Sequence, residues 1–137
     1  MKSFLIYLTM SPKVKICCIS SIEEAKMAID FGASAIGLVA KMPSGPGPIE
    51  DSLIYTIAKS IPPPIATFML TSETTAPAII EHHKRTQTNT IQIVDEMTEG
   101  SYKDIKIAFP YIKLVQVIHV VDEMSICLLY TSPSPRD

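Results

Sequence analysis

An α/β fold built on parallel strands is what this sequence predicts, and two observations predict it. Apolar runs of strand length alternate with stretches of helical periodicity, five times over. Each helical stretch is bracketed by Ser, Thr, Pro or Gly at the positions where helices start and stop. At 137 residues the chain is about one ordinary domain, on a guide of ~100–200 residues per domain.

The first unit, residues 14–39, reads VKICCISSIEEAKMAIDFGASAIGLV. Its opening strand is expected over residues 14–19. Ser20 and Ser21 stand before Glu23 and Glu24 at capping-box spacing, so a helix should begin there and run to Phe31, with Gly32 just beyond its end. A second strand is expected over residues 35–40. After a Pro/Gly loop over residues 42–48, Ile49, Leu53 and Ile57 recur at four-residue spacing, the pattern of a helix with one buried stripe. Pro62, Pro63 and Pro64 must end it, because proline clashes with the preceding turn.

The third strand is expected over residues 65–71. Its helix begins near Thr75, with Pro77 in the first turn, where a missing N–H is harmless. The run His82-His83-Lys84-Arg85 reads as a solvated helix end, since cations favour helix C-termini. A fourth strand over residues 90–95, a helix over 101–109 stopped at Pro110, and a fifth strand over 113–120 complete the pattern. Asp122 and Glu123 would open a fifth helix.

Strands alternating with helices of this size imply right-handed crossovers. Two architectures satisfy them: an open doubly wound sheet, and an incomplete (β/α)8 barrel of about five βα units. The glycine-rich phosphate turn of a dinucleotide fold is missing after the first strand, where the chain reads CISSIE, and that favours the barrel.

A net charge of −2 and the absence of a Lys/Arg block argue against nucleic acid as a partner. No apolar run reaches the ~18 residues of a membrane span, and the short apolar core of residues 1–12 is expected to be an extension rather than a secretion signal. Three cysteines without a C-x-x-C pair fit a reducing, cytoplasmic setting. Cys17 and Cys18, neighbours on a strand, should point to opposite faces and make poor disulfide partners.

A strand buried on both faces should be almost wholly apolar, yet Lys15 and Cys17 interrupt the first one, two residues apart and therefore on one face. Chemistry is expected there. Four stretches then carry a resemblance: KIC in the first strand, S-x-E-E-A opening the first helix, FGASAIGLV leading into the second strand, and I-Q-I in the fourth. Over residues 14–121 the chain resembles the first five of eight βα units of the phosphoribosylanthranilate isomerase family of tryptophan biosynthesis.

That resemblance implies a (β/α)8 barrel that performs an Amadori rearrangement on a small phosphorylated sugar amine, without metal or organic cofactor. It also implies Cys17 as general base. A thiolate can take the proton from the sugar carbon beside the imine if a cation such as Lys15 favours its ionisation. The sequence departs from the family pattern at four places. Cys18 stands for the glycine of KICG. The loop after the second strand offers only Lys41 as a base. Gln92-Ile93-Val94-Asp95 replaces Q-L-H-G, and Gln116 stands where a lysine is usual. The family's general acid and phosphate grip belong to later units.

Catalytic groups of such barrels sit at the C-terminal ends of strands. There Asp95 is the candidate acid, or else a helix cap. His119, with Asp122 nearby, either replaces the lost histidine in binding substrate or is a hydrogen-bonded core residue. Gln92 is expected to point into the site. The alternative is a barrel of the same family that binds a small ligand without catalysis or with another specificity. Residues 127–137, CLLYTSPSPRD, resemble the translation of a sequencing-library adapter, so residues 13–126 are expected to hold the partial barrel. Five strands of eight would leave the piece inactive by itself and poorly soluble, with strand edges unpaired.

Overall fold

The computed structural model describes residues 12–131. The extension expected over residues 1–12 lies, but for Pro12, outside the described residues, as do residues 132–137. Five strands alternate with five helices: β1 (Lys15–Ile16), α1 (Ile22–Asp30), β2 (Ala35–Val39), α2 (Asp51–Ser60), β3 (Ala66–Thr71), α3 (Ala76–Thr86), β4 (Thr90–Ile93), α4 (Tyr102–Ala108), β5 (Lys113–Gln116) and α5 (Glu123–Thr131). The helix α5 runs through residues 127–131, within the segment read as adapter-derived.

All strand pairs are parallel, and the order in the sheet is the order in the chain, β1-β2-β3-β4-β5. Among the described residues β1 and β5 are edges, so the sheet is an open, incomplete barrel. Register assigns two faces. Ile36, Leu38, Met69, Ile91, Ile93 and Leu114 alternate onto one face and pack in two buried clusters against Ala25 and Ala28 of α1, Ile54 and Ile57 of α2, Ile79 of α3 and Ile105 of α4. The helices α1 to α4 therefore cover a single face. Lys15, Gly37, Phe68, Gln92 and Val115 alternate onto the other.

Local signals set the helix ends. Ser21 Oγ accepts from Glu24 N at 3.1 Å, while the Glu24 carboxylate accepts from the backbone N–H and the hydroxyl of Ser20. Gly32 takes φ +94° just past α1, a conformation open to glycine. Thr75 caps α3 through Ala78 N, and the Ser101 N–H and hydroxyl both bond Asp104 at the start of α4.

Three expectations need correction. The strands are shorter than the apolar runs: β1 has two residues and β5 four, because ladder pairing persists only where a neighbour strand lies alongside. The α2 stripe is centred on Ile54 and Ile57 rather than Ile49 and Leu53, which pack at its margin. His82 and His83 are not solvated; they are 5% and 7% exposed. The C-terminal half of α3 turns both toward the protein. His82 bridges Thr71 Oγ1 (2.9 Å) and Asp51 Oδ1 (3.0 Å), while His83 Nε2 donates to the Thr88 carbonyl at 2.7 Å and packs edge-on against Phe109. Only Lys84 and Arg85 of that run reach solvent.

Candidate active site

The helix-free face gathers most of the residues singled out from the sequence. Lys15 leaves β1 on this face and its Nζ donates to Gln92 Oε1 of β4 at 2.6 Å, lying 4.7 Å from the centre of the Phe68 ring. In a flat sheet these strands would stand about 14 Å apart, three spacings of ~4.8 Å. Curling toward the helix-free side brings the two side chains together, so this face is concave.

Cys17 follows β1 on the same face. A Cβ placed on Gly37 of β2 would come within 2.5 Å of Cys17 Sγ, so the missing side chain at position 37 is what gives the thiol its room. Ile19 N continues the pairing to Gly37 O at 3.1 Å, which fixes the β1 exit beside β2. Cys17 is exposed.

Cys18 departs from strand geometry altogether. Its φ is +60°, a left-handed value that an L side chain adopts at a cost and glycine adopts freely. Its Sγ lies 3.6 Å from the Pro46 carbonyl in the loop after β2, and a Cβ on Gly47 would strike its Cβ at 2.7 Å. Partial desolvation, then the neighbouring Cys17, push the Cys18 thiol above the usual cysteine range, against a smaller lowering by the Lys15 ammonium.

Asp95 and His119 lie beyond the C-terminal ends of β4 and β5 rather than on the strands. His119 Nε2 bonds the Val94 carbonyl at 3.0 Å and stands 4.0 Å from Asp95 Oδ1, with both side chains about half exposed. Asp122 does not join them. Its carboxylate caps α5, accepting from the backbone and hydroxyl of Ser125 at 2.9 Å, and these bonds hold it below the usual carboxylate range.

Sequence reasoning passed over Gly37, Phe68 and Tyr102, which shape this region, and read Gln116 only as a departure from the family pattern. Gly37 makes room for the thiol, and a glycine inside a strand pattern is a known sign of close approach. Phe68 floors the concave face beneath Lys15. Gln116 and Tyr102 hold the β4 exit from the helix side, through contacts that no local pattern announces.

No family model matches the chain. In sequence it is similar to N-(5'-phosphoribosyl)anthranilate isomerase 2 of Methanosarcina mazei, 30% identical over 110 residues, 80% of this chain and 49% of that protein. It is also similar to the N-(5'-phosphoribosyl)anthranilate isomerase of Methanocella arvoryzae, 25% identical over 79% of this chain and 51% of that protein. The chain thus spans about half the length of the curated relatives it matches. In fold it superposes on the phosphoribosylanthranilate isomerase of Thermotoga maritima with a TM-score of 0.70 at 22% identity, covering 88% of this chain and 58% of that one. A second solved isomerase, in complex with reduced 1-(o-carboxyphenylamino)-1-deoxyribulose 5-phosphate, gives 0.70 at 23% identity over 88% of this chain and 61% of that one.

Proposed function

We propose that this chain, a divergent relative of the phosphoribosylanthranilate isomerases, carries the proton-transfer residues of an aldose–ketose isomerase acting on a phosphorylated sugar amine. The observation that carries this reading is the thiol of Cys17, exposed on the concave face against Gly37. In an Amadori rearrangement the sugar ring opens to an imine, a base removes the proton from the adjacent carbon, and the resulting enol settles as the ketone. Cys17, as thiolate, takes that proton.

Asp95 is the proposed acid, giving a proton to the ring oxygen as the ring opens. Lys15 and Gln92 bind the substrate's oxygens from the floor, since an ammonium with one N–H committed to Gln92 keeps two donors for a ligand. His119 contacts the substrate from the β5 side. In barrels of this kind the phosphate site lies near the last strands.

The test is Cys17→Ser in the full-length gene. Serine keeps the shape and loses the acidity, so turnover should fall by the ~10²–10⁴-fold that general bases contribute, with substrate binding retained. Undiminished turnover removes Cys17 from the mechanism. Binding of substrate without turnover by the unaltered protein favours a ligand-binding barrel instead.

A further inference from the structure

We propose that Gln116 is a positioning residue: by holding the β4 exit it fixes the His119 ring in one tautomer and leaves Nδ1 as the lone pair offered to a ligand at the barrel mouth. The inference rests on the mouth being the ligand site, but its geometry stands on this chain alone.

A carbonyl oxygen only accepts, so the 3.0 Å contact between His119 Nε2 and Val94 O requires the proton on Nε2. In the neutral ring Nδ1 is then unprotonated. The Asp95 carboxylate, 4.0 Å from the same Nε2, lies on the protonated side of the ring. The ring is thus polarised in one sense, with its acceptor facing away from Val94.

What keeps the Val94 carbonyl aimed at His119 is the amide of Gln116. Its Nε2 donates to Asp95 O and Val117 O, each at 3.0 Å, and reaches Ile93 O at 3.3 Å. Ile93 O already accepts from Val117 N at 2.9 Å, so the two amide hydrogens serve chiefly Asp95 and Val117. Val94 N is bound to Thr71 O at 3.1 Å. The peptide groups that flank the Val94–Asp95 peptide are therefore tied down, and the Val94 carbonyl is left to His119. Gln116 Oε1 in turn accepts from Tyr102 Oη at 3.0 Å, which anchors the amide to the first turn of α4. One side chain joins α4, the β4 exit and the β5 exit. A lysine at this position would accept nothing from Tyr102.

The test is the ring nitrogen spectrum of His119 in the 15N-labelled full chain, assigned by its disappearance in His119→Gln and recorded above the pH at which the ring is protonated. The unaltered chain should show the Nε2–H tautomer alone. Gln116→Glu keeps the acceptor for Tyr102 but has no hydrogens for Asp95 O and Val117 O, so it should give a mixture of both tautomers while the amide signals of β1 to β3 stay in place. Mixed tautomers in the unaltered chain overturn the proposal, and so does a single Nε2–H tautomer in Gln116→Glu. Should Gln116→Glu not fold, Tyr102→Phe frees the amide by one bond and should shift the tautomer ratio the same way; an unchanged ratio also overturns it. No substrate is involved, so this result and the Cys17→Ser result fail independently.

Discussion

The ammonium of Lys15 on β1 is hydrogen-bonded to the side-chain oxygen of Gln92 on β4, residues 77 positions apart in the chain. The bond spans two intervening strands, so it reports the curl of the sheet directly. It also joins two residues that sequence reasoning picked for separate reasons.

Because both groups are accessible, their coupling should be small in stability. A double-mutant cycle of Lys15→Met and Gln92→Leu in urea should give about 0.5 kcal/mol, the low end of the range for an intramolecular hydrogen bond. A coupling indistinguishable from zero would mean that the sheet does not hold this curvature in solution.

Cys18 stands at φ +60°, a conformation that glycine adopts freely. Left-handed backbone costs an L-residue about 1–2 kcal/mol, and glycine returns about 0.5–1 kcal/mol of that in unfolded-chain entropy. Cys18→Gly should therefore raise stability by up to about 1 kcal/mol, read as a higher urea midpoint at constant slope. Cys18→Val, branched at Cβ, should lower it. The opposite ranking would contradict the left-handed assignment.

Burial holds His83 below the usual histidine range, with a smaller lowering from His82, against the raising effect of its bond to the Thr88 carbonyl. With Nε2–H donated to Thr88, a second proton must go to Nδ1, which is buried and has no partner. A folded pKa below the unfolded one means that the unfolded chain binds more protons. The contribution is thus complete above the unfolded value of ~6.5 and is lost as pH falls through the folded one. Stability should decline on acidification from pH ~7, and His83→Gln, which keeps the donor and cannot charge, should flatten that decline. An equal slope in both proteins would assign the pH dependence to other groups.

Among the described residues, the edges β1 and β5 and the concave face with Val115 exposed offer unpaired strand and apolar surface. The chain alone should bind a hydrophobic dye such as ANS and associate as its concentration rises. A soluble monomer with a sharp cooperative melt and no dye binding would show that these surfaces are satisfied.

Helix ends were readable because their causes are local. Ser21 with Glu24, Thr75 with Pro77, Ser101, Gly32 and the proline run at 62–64 act within a turn or two of themselves, and each sits where expected. Alternation along the strands likewise sorts Lys15 and Cys17 from Ile16 without any tertiary knowledge. The His82-His83 pair was misread for the converse reason. Its surroundings, Thr71, Asp51, Thr88 and Phe109, arrive from other elements, and cationic composition alone points outward.

Sequence by itself determined the order of elements, the sharing of one face by Lys15 and Cys17, and the likeness of that strand to isomerase barrels. Only the tertiary structure decided that Asp95 meets His119, that Gln116 serves the β4 exit, and that Cys18 lies in a glycine conformation. Short-range periodicity and capping are fixed by neighbours in the chain, whereas these pairings depend on how far the sheet curls and where each strand stops.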